Sequence, residues 1–144
     1  KRLEKTTGDI KIIISNDVRI DKSVTLQINE LLKENPKQLI GNYFHATDTG
    51  WNKFGDKVFP YLAGYLLGTT SDTWEYLEYF DERYAPCDFE DVDLSTKALM
   101  GDVKLTALNL PGITHIGGQT IKYGLDREKI TRINQRKFEE KWMN

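Results

Sequence analysis

Cysteine is almost missing from this sequence, with Cys87 its sole representative. That excludes an internal disulfide, and a cysteine-built zinc site would need ligands the chain does not carry. A reducing, cytoplasmic setting is therefore expected. Long apolar runs are missing too: no stretch approaches the ~18 to 20 residues a membrane-crossing helix needs, and the opening Lys1-Arg2-Leu3-Glu4-Lys5 lacks the apolar core of a signal peptide. No membrane partner is expected. Lysine rather than methionine at position 1 fits a trimmed chain or a piece of a longer one. Nor is there an excess of charge: the formal net charge of −2 is not that of a domain that is basic overall to meet nucleic acid.

What is present is enough chain for one domain. At 144 residues it can bury about two-thirds of the surface its unfolded form exposes. The charges are segregated. Asp72, Glu75, Glu78, Asp81, Glu82, Asp88, Glu90, Asp91 and Asp93 face Arg83 alone, whereas Lys122, Arg127, Lys129, Arg132, Arg136, Lys137 and Lys141 dominate the C-terminal end. The simplest account is two solvated faces; an acidic centre beside a basic end also suits a cation site that meets a polyanion.

Periodicity gives an α/β order. The β-branched stretch from Asp9 to Ser15 predicts a strand. Val24, Ile28, Leu31 and Leu32 follow at helical spacing behind a polar cap, and Gln38 to Gly41 reads as a second strand, so the opening is β-α-β. Phe54, Val58, Phe59, Leu62, Ala63, Leu66 and Leu67 predict a helix that starts or kinks at Pro60, and Asp72 to Tyr84 a further helix capped by Ser71 or Asp72. From Asp102 to Leu108 polar and apolar residues alternate, which predicts a strand with Asp102, Lys104 and Thr106 on one face. Pro111-Gly112 and Gly117-Gly118 mark turns, and Leu125 to Trp142 predicts an amphipathic helix with Ile130, Ile133, Phe138 and Trp142 inward.

A strand face carrying both Asp102 and Lys104 invites a chemical role. Asp102 and Asp88, the latter upstream across an expected hairpin, would together hold Mg²⁺ (or Mn²⁺), which prefers oxygen ligands. The metal would activate a water toward a phosphodiester, and Lys104 would orient that water or stabilise the transition state. Asp91 or Asp93 would serve equally as the partner acid.

The residues Ala85-Pro86-Cys87-Asp88-Phe89 followed by Met100-Gly101-Asp102-Val103-Lys104 resemble the PD-(D/E)XK nuclease superfamily, over about residues 52–120. The resemblance implies a single restriction-endonuclease-like α/β domain, with a mixed central sheet flanked by helices. It implies Asp88 and Asp102 as metal ligands, Lys104 as the catalytic lysine, Asp56 as an accessory acid on an upstream helix, and Gln119 as a polar residue near the site. DNA is then the substrate, with Arg127, Lys129, Arg132, Arg136 and Lys137 of the terminal helix as phosphate contacts, and many nucleases of this kind act as homodimers.

Two other readings stand beside it. The acidic centre and the aromatics Trp51, Phe54, Phe59 and Tyr61, read as core or partner-facing, suit a non-enzymatic component of a phage or bacterial assembly. The β-α-β opening with Gly117-Gly118-Gln119-Thr120 also resembles Rossmann-like nucleotide-binding domains of the SLOG type. His45 and His115 read as structural or peripheral, and Cys87, set among acids, as unreactive.

Overall fold

A computed structural model describes residues 5–117 and 126–144. Its centre is a four-stranded mixed sheet built from β1 (Ile10–Ile14), β3 (Gln38–Gly41), β8 (Leu66–Thr70) and β9 (Lys104–Ala107), in the order β1-β8-β3-β9. β8 runs antiparallel to both neighbours and β9 parallel to β3. The chain therefore does form β-α-β at its start, but β1 and β3 are not adjacent, because β8 lies between them. This departs from a Rossmann-like opening, where the crossover joins strands of a parallel sheet.

Both faces of the sheet are covered, so Leu39-Ile40 of β3 and Leu66-Leu67 of β8 bury neighbouring apolar residues on opposite sides. Ile40 and Leu66 point to α1 (Lys22–Glu34) and meet Val24, Ile28 and Leu32. Their neighbours Leu39 and Leu67 point the opposite way, into a layer formed by α2 (Ser71–Tyr76) and α3 (Glu90–Met100) through Trp74, Leu94 and Ala98. Side chains buried this fully contribute about 1.5–3 kcal/mol each. Gln38, itself buried, joins the layers: its Nε2 donates to the Leu31 and Asn35 carbonyls at the end of α1, and its Oε1 accepts from Thr106 Oγ1.

The expected helix around Pro60 is instead extended chain. β7 (Tyr61–Leu62) pairs with β4 (Phe44–His45), and Leu66 and Leu67 belong to β8. Upstream, β5 (Lys53–Phe54) and β6 (Lys57–Val58) form a hairpin whose turn holds Gly55 at φ +58° and Asp56, so Asp56 is exposed on a turn and not on a helix. The helix expected over 72–84 is short: α2 ends at Tyr76 and a single 3-10 turn covers Glu82–Tyr84. Thr70 provides its cap, accepting from the Thr73 N–H. Conversely, α3 occupies a segment expected to be a hairpin. β2 (Val18–Ile20) and β10 (Ile113–His115) make a separate ribbon, and among the described residues no helix is long and apolar enough to cross a membrane.

The terminal helix, α4 (Arg127–Trp142), forms as expected and turns Phe138 and Trp142 to the core, with Ile133 the exception. Asn134 and Phe138 are buried, whereas Ile133 is exposed. Phe138 joins Phe54, Phe59, Tyr84, Phe89 and Val92 in a third apolar cluster that fastens α4 to the start of α3.

Candidate functional site

Asp88 and Asp102 flank α3 at opposite ends. Eleven helical residues separate them, which at about 1.5 Å rise per residue is about 16 Å along the axis. One Mg²⁺ bound at 2.0–2.1 Å, as such ions generally are, cannot be shared across that gap, so the expected donor set does not fit the ion. Asp102 lies in the turn before β9 at φ +57°, and Lys104 opens β9; both are exposed. Thr106, expected on the same working face, uses its hydroxyl on Gln38. Among the described residues no three His, Cys, Asp or Glu side chains are gathered in a way that would hold a metal ion. Gln119 and the Gly118 to Thr120 part of the glycine loop lie outside the described residues.

The expected phosphate contacts are partly engaged within the chain. Arg127 pairs with Asp88, Arg132 with Glu128 at 2.6 Å, and Lys137 donates to the Arg83 carbonyl and Asn134 Oδ1. Lys129 and Arg136 are exposed. The histidines are far apart in role: His45 stacks on Tyr61 at 4.5 Å, and His115 on Tyr65 at 4.1 Å with Asp17 3.5 Å from its Nε2. Burial first, then the charges of Asp88 and Glu90, pushes the Cys87 thiol up, in keeping with an unreactive cysteine. Asp93 is fully buried and receives Trp142 Nε1–H at 2.7 Å, Lys141 Nζ at 2.7 Å and Tyr84 Oη–H at 3.2 Å, so it anchors α4.

A cleft of about 510 Å³ lies where the start of α3 meets α4 and the loop before β5. Its acidic wall follows from an unusual entry into the helix. Asp88 and Phe89 both hold positive φ, 69° and 74°, which is strained for side chains of this kind. Asn134 braces them: its Nδ2 donates to the carbonyls of Tyr84, Cys87 and Asp88 at 2.8, 2.7 and 3.0 Å. Burial alone would raise the Asp88 carboxyl, but Arg127 (2.8 and 3.1 Å) and the Thr131 hydroxyl (2.6 Å) hold it below the usual carboxylate range.

Asp91 and Glu90 come next, in the first turn. Asp91 Oδ2 accepts the Gly64 N–H and Oδ1 the Val92 N–H, each at 2.9 Å. Gly64 is what permits this approach, since a Cβ there would stand 3.0 Å from Asp91 Cβ. Burial still outweighs these bonds and lifts Asp91 to about 6. Glu90 has less help: Oε2 is shut off from solvent with no hydrogen-bond partner, and burial, reinforced by the charge of Asp91, pushes it up to about 8. Tyr61 faces the same cleft, its hydroxyl raised by burial and then by Asp91.

Trp51 also lines the cleft, 47% exposed on a loop that Asn52 makes rigid. Asn52 is fully buried; its Oδ1 accepts from Thr49 N and Oγ1, and its Nδ2 donates to the Thr47 and Phe59 carbonyls. Sequence reasoning named Asp88, Asp91 and Arg127 for other roles and passed over Glu90, because nothing local announces a desolvated carboxyl. The chain matches no protein-family model, no curated protein and no solved structure.

Proposed function

We propose that this protein is an acid–base hydrolase working from the cleft at the start of α3, with Glu90 as proton donor and Asp91 as the charge that stabilises a developing cation. The observation that carries the reading is the Glu90 carboxyl, on the cleft wall with one oxygen buried and unpartnered. Burial lifts the two carboxyls unequally, Glu90 to about 8 and Asp91 only to about 6, because Asp91 accepts two backbone N–H bonds. One acid then keeps its proton at neutral pH while the other stays ionised, as general acid catalysis requires.

Charge narrows the substrate. Arg127 is matched by Asp88 and Glu128 by Arg132, which leaves Asp91 as the carboxylate on the wall that faces no cation among the described residues. A phosphodiester entering this cleft meets net negative charge, so a neutral group suits it better than DNA. The direct test is hydrolysis of chromogenic glycosides, esters and amides by the full chain and by Glu90→Gln, run beside plasmid cleavage with Mg²⁺. Turnover lost in Glu90→Gln supports the reading. Turnover untouched by that change, or plasmid cleavage that disappears in Asp102→Asn, overturns it, the latter in favour of the nuclease implied by the resemblance.

A second reading, a protein-contact component, draws on one observation: Tyr76, Leu99 and Met100 form an exposed apolar patch at the far end of α3, where Tyr76 Oη donates to the Gly101 carbonyl.

A further inference from the structure

We infer that the cleft takes a saccharide, laid with one ring face on Trp51 and its hydroxyls against the carboxyl wall. The inference rests on the cleft being the working site and adds the class of ligand. It begins with Trp51, a large apolar ring left half in water on a loop that Asn52 fixes through four hydrogen bonds. Gln135 Nε2 also reaches the Trp51 carbonyl, at 3.5 Å, from α4. With the loop backbone fixed, little more than the rotation of the indole itself has to be ordered on binding. Tyr61, held by its stack on His45, adds a second aromatic surface to the same cleft.

The polar groups around the platform select among flat-faced ligands. The wall offers donors in the N–H groups of Arg127 not used on Asp88 and in protonated Glu90, and acceptors in Asp88, Asp91 and Glu128. A cation brings donors only and leaves the Arg127 and Glu90 protons unmatched. A phosphate brings acceptors only and leaves the carboxylates facing it. A hydroxyl both donates and accepts, so a ring bearing several of them satisfies both sets, and its C–H face covers the indole. The volume, about 510 Å³, lies in the range of ordinary small-ligand sites.

The test titrates the full chain with chitotriose, cellotriose, maltotriose and xylotriose, read by intrinsic tryptophan fluorescence and by saturation-transfer NMR. Tetramethylammonium and inorganic phosphate serve as the cationic and anionic probes. At least one trisaccharide is expected to bind in the millimolar range or tighter, to shift Trp51 emission, and to lose about tenfold in affinity in Trp51→Ala. Leu99→Ala, at the exposed far end of α3, should bind as the unaltered chain does. No trisaccharide binding at millimolar concentration, binding indifferent to Trp51→Ala, or Trp51-dependent binding of either ionic probe instead overturns the inference. Carbon-detected titration of Glu90 separates the two levels. Glu90 protonated near neutral pH without saccharide binding removes only the ligand class, whereas Glu90 titrating as an ordinary glutamate removes the acid–base reading itself.

Discussion

Asp88 and Asp102 are joined by one helix and separated by its length, with Asp88 fixed to Arg127 at the cleft and Asp102 exposed in the turn beyond Met100. Substitutions at the two positions should therefore behave independently. Asp102→Asn and Lys104→Ala are expected to leave cleft activity and ligand binding unchanged and to shift stability by less than about 0.5 kcal/mol. Asp102→Gly should stabilise by about 0.5–1 kcal/mol, because glycine relieves the φ of +57°. Urea unfolding together with the hydrolysis assay checks both statements.

The Asp88 latch carries a defined pH dependence. Its folded-state carboxyl sits below the usual range, so the folded protein binds fewer protons than the unfolded chain in acid. The stabilisation is present above the unfolded value and is lost as pH falls through the folded one. Asp88→Asn should cost about 1–2 kcal/mol at pH 7, a modest figure because Arg127 is half in solvent, and the variant should show a shallower loss of stability below pH 4. Equal acid sensitivity of variant and parent would count against the latch.

Glu90 works with the opposite sign. Its carboxyl is raised to about 8, so from about pH 4.5 upward the unfolded chain holds fewer protons than the folded one, and stability declines as pH rises through the folded value. Glu90→Gln removes the charge that burial disfavours. It is expected to gain about 1–3 kcal/mol at pH 8.5 and almost nothing at pH 4.5, while abolishing turnover. Chemical denaturation at the two pH values reads the difference; an equal effect at both would show that Glu90 is solvated.

Much of the scaffold could be read from residue pattern, because its signals are local. The β-branched run 10–14, the helical spacing of Val24, Ile28 and Leu32, and the short strand at Gln38 each declare themselves within one element. Residues 59–67 mislead for a physical reason: Phe59, Leu62, Ala63, Leu66 and Leu67 fall at helical intervals, yet Leu62 lies in β7 of a separate ribbon, and Leu66 and Leu67 of β8 serve opposite faces of the covered central sheet. The acids in the first turn of α3 favour a helix N-terminus, but the same residue types also suit metal ligands around a hairpin, so the helix does not announce itself. The cleft was least legible, since it joins α3, α4 and the Trp51 loop through contacts between residues remote in sequence.

One side chain holds those parts together, and its removal should be felt in both stability and function. Asn134 Nδ2 serves three carbonyls at the strained turn before α3, and its Oδ1 receives Lys137. Replacement by leucine keeps bulk but leaves those buried carbonyls without a donor, at a cost of about 2–4 kcal/mol. The positive φ angles of Asp88 and Phe89 then lose their brace, and the carboxyl wall loses its fixed position. Asn134→Leu should accelerate amide exchange at residues 88–92 well before global unfolding and weaken ligand binding at the cleft, while the amides of α1 stay protected. Uniform loss of protection across the sheet and α1 would instead mark Asn134 as a general core residue with no particular tie to the cleft.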